Sequence, residues 1–229
     1  MRGSCVLILL VAGSAITVGA GSATPAQACS LTSHCYGVAT WFGSPASYGS
    51  GGNIYFSCLW SANTGTDFTD EELWQGTDNS TGLSDWVELG GAYGWPNGTN
   101  RYWFWADNRP NGGGYHAHYP GGTVSLDQYY ALEVIYDGGN AWSAIGPNWT
   151  EASTSNPPSG EALEAGAEIT DNSAHADGHI NMLYHLSTSY DTVTGWSGAS
   201  IPAPDPPVTD VYWVSSAHND LDWTTGSCS

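Results

Sequence analysis

Two glutamates stand far apart in the chain, each in a short, glycine-containing, strand-like segment. Glu88 lies in Trp86-Val87-Glu88-Leu89-Gly90-Gly91, and Glu168 in Glu164-Ala165-Gly166-Ala167-Glu168-Ile169. Two carboxyl groups in one cleft cannot both ionise easily, so the pair holds one proton. The ionised member can take a proton from water, and the protonated member can donate a hydrogen bond to a developing oxyanion. Little else in the chain offers acid–base chemistry. It contains no lysine, and no serine in a nucleophile-elbow context. Paired carboxylates across a groove also serve glycoside hydrolysis, and Glu133 is a further candidate partner for that chemistry. The plain alternative is that both glutamates are solvated strand residues.

The elements that must position these residues read as strands. Gly, Trp, Tyr, Ser, Thr and Asn dominate, and helical periodicity is nearly absent. Runs of four to eight aromatic or β-branched residues recur between Gly, Pro, Asn and Asp clusters, the pattern of an all-β, antiparallel two-sheet sandwich. The expected strands are Gly37–Phe42, Asn53–Trp60, Trp86–Gly91, Arg101–Ala106, Tyr115–Tyr119, Tyr129–Tyr136, Ala141–Ile145, Ala165–Ile169 and Val211–Ser215. Asp70–Trp74 reads as a helical turn capped by Thr69. The segments 156–160 and 201–208 read as proline-rich loops.

Strand alternation then assigns faces. Val87 and Leu89 share one side, and Trp86 and Glu88 the other. Ala165, Ala167 and Ile169 oppose Glu168, while Tyr130, Leu132 and Val134 oppose Glu133. Alternation puts Trp86 beside Glu88, which makes it the leading subsite candidate, with Trp103 and Trp105 as further substrate-binding candidates. For most of the 12 tryptophans, core or rim packing is the better reading. His116 and His118 face one side of a strand, and His175, Asp177, His179 and His185 form a second cluster. Such residues can ligate a metal, but no H-e-x-x-H helix strengthens that reading, and neither a metal nor a cofactor is expected.

Residues 1–28 read as a secretory signal. Arg2 gives the positive start, Cys5 to Val18 the apolar run, and Ala26-Gln27-Ala28 the cleavage site. Cleavage there leaves one β-sandwich domain over 29–229, secreted and monomeric. It also makes Cys29 the first residue, as in lipoproteins, although Ala26 is a poor lipobox residue. All 22 acidic residues follow the signal, against only two arginines, Arg101 and Arg109. This balance excludes a nucleic-acid partner and disfavours an anionic membrane, because phosphate is repelled. Cys29, Cys35, Cys58 and Cys228 remain, an even count that suits two disulfides in an exported chain. Three pairings are open, and Cys35–Cys58 with Cys29–Cys228 is the favoured one. Asn79, Asn97 and Asn148 lie in N-x-[ST] sequons.

Between Asp85 and Asp171 the chain resembles the glutamic peptidases, the neprosin and eqolisin groups. Neprosin-type domains carry an I-E-A-G-W segment, a Tyr-Gly-Asp turn and an aromatic strand. Val87-Glu88-Leu89-Gly90-Gly91, Tyr93-Gly94-Trp95-Pro96-Asn97-Gly98 and Arg101-Tyr102-Trp103-Phe104-Trp105 stand here in that order. The family's E-W-G-G-E-V segment matches the spacing of Glu164 to Ile169, with Ala165 where the family has tryptophan. The eqolisin Q-T-G segment falls on Glu88-Leu89-Gly90, and A-E-W-I on Ala167-Glu168-Ile169. The resemblance implies a concanavalin-like sandwich in which Glu88 and Glu168 are the catalytic pair. Glu168 would be the base, and Glu88 the protonated partner in place of the eqolisin glutamine. It implies an acid-active endopeptidase acting on polypeptides. The alternatives are a carbohydrate-binding sandwich with an inactive dyad, or a glycoside hydrolase acting on polysaccharide.

Overall fold

β-strands make up the regular secondary structure of the described residues. The structure, a computed structural model, describes residues 29–30, 33–43, 46–79, 82–109, 114–138, 141–153, 161–186 and 193–226. The expected signal segment and Cys228 lie outside them. In chain order the strands are β1 (Cys35–Phe42), β2 (Gly49–Trp60), β3 (Phe68–Asn79), β4 (Gly82–Gly94), β5 (Arg101–Arg109), β6 (Gly114–His118) and β7 (Tyr129–Gly138). They continue with β8 (Ala141–Gly146), β9 (Trp149–Ser153), β10 (Ala162–Ile169), β11 (His175–Leu186), β12 (Val193–Thr194), β13 (Asp210–Trp213) and β14 (Leu221–Thr224).

Two antiparallel sheets form the expected sandwich. The six-stranded sheet runs β1-β10-β3-β4-β5-β6. The eight-stranded sheet runs β13-β14-β11-β2-β7-β8-β9, with β12 paired to β11 at the side. Between the sheets lies one continuous core that includes Leu73, Leu89, Leu132, Leu163, Ile180, Trp142, Trp196 and Trp223. Each large side chain buried there contributes about 1.5–3 kcal/mol. Val87, Leu89, Ala165, Ala167 and Ile169 face this core, on the side alternation assigns them. Glu71 and Gln75 of β3 also point inward and are fully buried. Gln75 is hydrogen-bonded to the hydroxyl of Ser50 and donates to the carbonyl of Ser47.

Three readings change. The segment Asp70–Trp74 is not a helical turn but the middle of β3. Glutamates favour helix locally, yet between β10 and β4 the backbone groups of β3 find partners on both sides, and tertiary pairing overrides propensity. Strands β9, β11, β12 and β14 were not expected. In β11 the polar outward residues His175, Asp177 and His179 mask the buried Ala176, Gly178 and Ile180. Cys29 pairs with Cys35 rather than with Cys228, and Cys58 is itself disulfide-bonded.

Candidate active site

The acidic residues gather on three neighbouring strands, β10, β3 and β4. Their alternate residues point away from the core: Glu168 and Gly166 on β10; Phe68, Asp70, Glu72 and Trp74 on β3; Trp86, Glu88 and Gly90 on β4. Register decides which of them meet. Glu168 stands opposite Asp70, Glu72 lies between Gly166 and Gly90, and Trp74 stands opposite Glu88. Glu88 and Glu168 are therefore on one face, with β3 between them, offset along that strand by the distance from Asp70 to Trp74.

Gly90 leaves the room that Glu72 fills on one side, while Gly166 lets β10 pass close to β1. A methyl group at Gly90 would come within 2.5 Å of Cβ of Glu72 and 2.9 Å of its Cα. Gly166 has φ +150°, and a methyl group there would meet Cα of Val38 at 2.8 Å. Glu72 lies fully buried. Above it opens a cleft of about 610 Å³, walled by Trp74, Trp86, Trp95, Tyr102, Phe104 and Tyr115, with Asp70, Glu88 and Glu168 also lining it.

Each of the two expected glutamates has its own set of partners. The indole N–H of Trp86 donates to Oε2 of Glu88 at 2.7 Å, and the hydroxyl of Tyr115 donates to Oε1 at 3.0 Å. Burial, then the charge of Glu168, pushes the Glu88 carboxyl up to about 8; hydrogen bonds from Tyr115, Trp86 and Trp74 oppose the rise. Glu88 is thus protonated at acidic and neutral pH. Glu168 is paired with Nδ1 of His34 and accepts from the hydroxyl of Tyr36 at 3.3 Å. The His34 ring packs edge-on to Phe68.

Beneath them, Asp70 and Glu72 are both raised well above the usual carboxylate range. Burial is the main cause for each, followed for Asp70 by Glu168 and Glu88, and for Glu72 by Asp70, Glu88 and Glu168. Among the described residues, apart from Asp70, the oxygens of Glu72 meet no hydrogen-bond partner. A proton on Glu72 can be offered to Asp70, which favours the protonated form of Glu72 and the ionised form of Asp70. Asp70, Glu72 and Glu168 are also the described residues whose ligand atoms converge within 4.8 Å, as for a cation.

The structure separates several of the other sequence candidates from this site. Trp86 lies in the cleft wall beside Glu88. Trp103 and Trp105 do not line the cleft, because alternation on β5 turns them into the core and puts Tyr102 and Phe104 outward. Trp103 packs against Tyr130 at 4.8 Å, and Trp105 stacks on His118 at 4.0 Å. Glu133 is on β7 of the other sheet, where the hydroxyl of Tyr184 bonds to it, so it partners neither Glu88 nor Glu168. The histidines do not converge on one site. His116 and His118 sit on β6, while the second cluster sits on β11, where His179 pairs with Asp222 and His185 faces Trp41. Sequence reading missed Asp70, Glu72, Tyr36, Tyr115 and His34. No alternation marked the first two, because Asp70, Glu71 and Glu72 are consecutive acidic residues.

Solved structures with this architecture are known. A scytalido-glutamic peptidase bound to a peptide-based transition-state analogue matches 82% of this chain and 97% of its own, with a TM-score of 0.57 and 15% identity. The chain has the glutamic-peptidase fold. A second scytalido-glutamic peptidase structure, with a transition-state analogue inhibitor, gives 0.56 at the same identity and coverage. SCP-B, a member of the eqolisin family in complex with the tripeptide Ala-Ile-His, gives 0.54 over 82% of this chain and 96% of its own, again at 15% identity. No protein-family model matches the sequence, and neither does any curated protein.

Proposed function

We propose that this chain is an exported, acid-active endopeptidase of the glutamic peptidase type, with Glu88 and Glu168 as its working carboxyls. The observation that carries the reading is their placement in one aromatic cleft, with Glu88 held protonated by burial and by Glu168. The shared fold supports it. Strand β3 keeps the two groups apart, so water and a substrate carbonyl stand between them. Glu168, oriented by His34 and Tyr36, takes a proton from the water as its oxygen attacks the carbonyl carbon. Glu88 donates a hydrogen bond to the oxygen that gains charge, and Trp86 and Tyr115 fix its carboxyl for that role. The aromatic walls take the place of Trp103 and Trp105 as subsites for substrate side chains, with Trp86 retained from the sequence reading.

Cleavage of an unfolded protein from pH 2 to 7 tests this. Wild type is expected to cleave at acidic pH. Glu168→Gln removes the base and should lower kcat about 10²–10⁴-fold. Glu88→Gln keeps an N–H donor and should retain part of the activity. A folded wild-type protein that cleaves nothing across this range, or a Glu168→Gln variant as active as wild type, overturns the reading.

A further inference from the structure

The outer face of the eight-stranded sheet carries a cross-strand row that the cleft chemistry does not use. Tyr212 of β13 pairs with Asp222 of β14, Asp222 with His179 of β11, His179 with Tyr55 of β2, and Tyr55 with Tyr129 of β7. Five adjacent strands thus place one side chain each on a single line. At about 4.8 Å per strand the line is roughly 19 Å long. Tyr129 is 52% exposed and Tyr212 45%. Tyr129 leans on Tyr55 and His179, Tyr212 is hydrogen-bonded to Asp222, and together the row makes one continuous exposed aromatic and polar strip, the kind of patch that marks a binding surface.

Hydrogen bonds hold the row in place. The hydroxyl of Tyr55 donates to Asp127 at 3.1 Å, and His179 pairs with Asp222. Asp177 accepts from the hydroxyl of Thr224 and the backbone N–H of Thr225, both at 2.7 Å. A register shift between Asp177 and Gly178 opens a notch of about 300 Å³ beside the row. The rings are not coplanar. Tyr55 and Tyr129 lie 4.9 Å apart with their planes at 47°, and Tyr129 meets His179 edge-on at 6.1 Å.

We propose that this row binds a single uncharged polysaccharide chain. Sugar rings have apolar C–H faces that pack on aromatic rings, and hydroxyl rims that donate to carboxylates. Asp127, Asp177 and Asp222 each keep acceptor capacity beyond the bonds named above. One ring per strand spacing suits a polymer with a short repeat. Tilted rings suit a chain that twists along its length rather than a flat crystalline surface. The three carboxylates, on a chain of net charge −19, repel a polyanion. An apolar protein partner would bury the imidazole, the hydroxyls and Asp222 without pairing them. The row and the peptidase cleft lie on different sheets, so a glycan held here tethers the protein without blocking Glu88 and Glu168.

Native gels containing laminarin, mixed-linkage β-glucan or dextran test this, since bound protein is retarded. At least one glycan should retard wild type. The double variant Tyr129→Ala/Tyr212→Ala should lose that retardation, with affinity about tenfold weaker or more, as expected for truncated aromatic anchors. Tyr129→Phe keeps the ring and should keep most of the binding. Both tyrosines are exposed, so an unchanged unfolding midpoint shows that the double variant is folded. Three outcomes overturn the proposal: no retardation by any of the three glycans, equal retardation of the double variant, or an interaction with poly-L-lysine in place of the glycans. Because the readout is binding, this result and the cleavage result stand or fall separately.

Discussion

At the level of single residues, Glu88 shows how environment decides role. Its carboxyl is raised by burial and by the charge of Glu168, while the donors Trp86 and Tyr115 work in the opposite direction by favouring the ionised form. Removing one donor should therefore raise it further. Tyr115→Phe deletes the hydroxyl that bonds Oε1 at 3.0 Å and leaves the ring in the cleft wall. If protonated Glu88 assists cleavage, the basic limb of kcat/KM in Tyr115→Phe should move to higher pH. The shift should be about one pH unit, the weight of one hydrogen bond to a charged group. A limb that stays in place while kcat falls would assign Tyr115 to substrate contact instead. Tyr36 and His34 serve Glu168 in a parallel way from β1 and the residue before it, so neither glutamate is held by its own strand alone.

At the level of elements, the site depends on the register of three strands and on two glycines. Gly90 and Gly166 stand opposite Glu72 on its two neighbouring strands; a larger residue at Gly90 would press on Glu72 and force β3 and β4 apart, and one at Gly166 would press on β1. Gly90→Ala should cost about 1–3 kcal/mol by overpacking, read as a lower urea midpoint with an unchanged slope. A midpoint equal to wild type would mean that β3 and β4 separate easily, and the close approach at Gly90 would not be a constraint. These strands also show what the sequence could and could not reveal. The faces of Val87, Leu89, Ala165, Ala167 and Ile169 were legible because apolar and polar residues alternate cleanly there. Asp70 and Glu72 were not, because Asp70-Glu71-Glu72 puts an acidic residue on both faces of β3 and erases the alternation. Trp103 and Trp105 were misplaced for a related reason. Arg101–Trp105 is aromatic at almost every position, so composition could not say which set faces inward, and only the pairing with β4 settles it. That Glu88 and Glu168 share a face followed from alternation within each strand together with the strand order, which no local pattern encodes.

At the level of the whole molecule, the buried carboxyls make stability a function of pH. Asp70, Glu71, Glu72 and Glu88 are all raised in the folded protein, each with burial as the first cause. An unfolded carboxyl titrates near 4.3, about the value for a free glutamate. Below that pH both states hold the proton and the folded state has its full advantage. As pH rises past it, the unfolded chain releases protons that the folded chain keeps. Stability then falls by about 1.4 kcal/mol per pH unit for each such group until the folded group also ionises. Self-repulsion of the acidic surface acts in the same direction. The protein should therefore be most stable in acid and weaken toward neutral pH, the reverse of a fold held by carboxylate salt bridges. Glu71 isolates this effect, because it lies in the core, away from the cleft, where the Trp223 indole only partly offsets its burial. Glu71→Gln keeps a neutral side chain of the same shape in the folded state and removes the proton release from the unfolded one. At pH 4 the variant and wild type should unfold at nearly the same urea concentration. At pH 7 the variant should be the more stable of the two, read as a higher urea midpoint. If the two proteins lose stability in parallel as pH rises, Glu71 is ionised in the fold, and the acid-stable character must come from the cleft carboxyls alone.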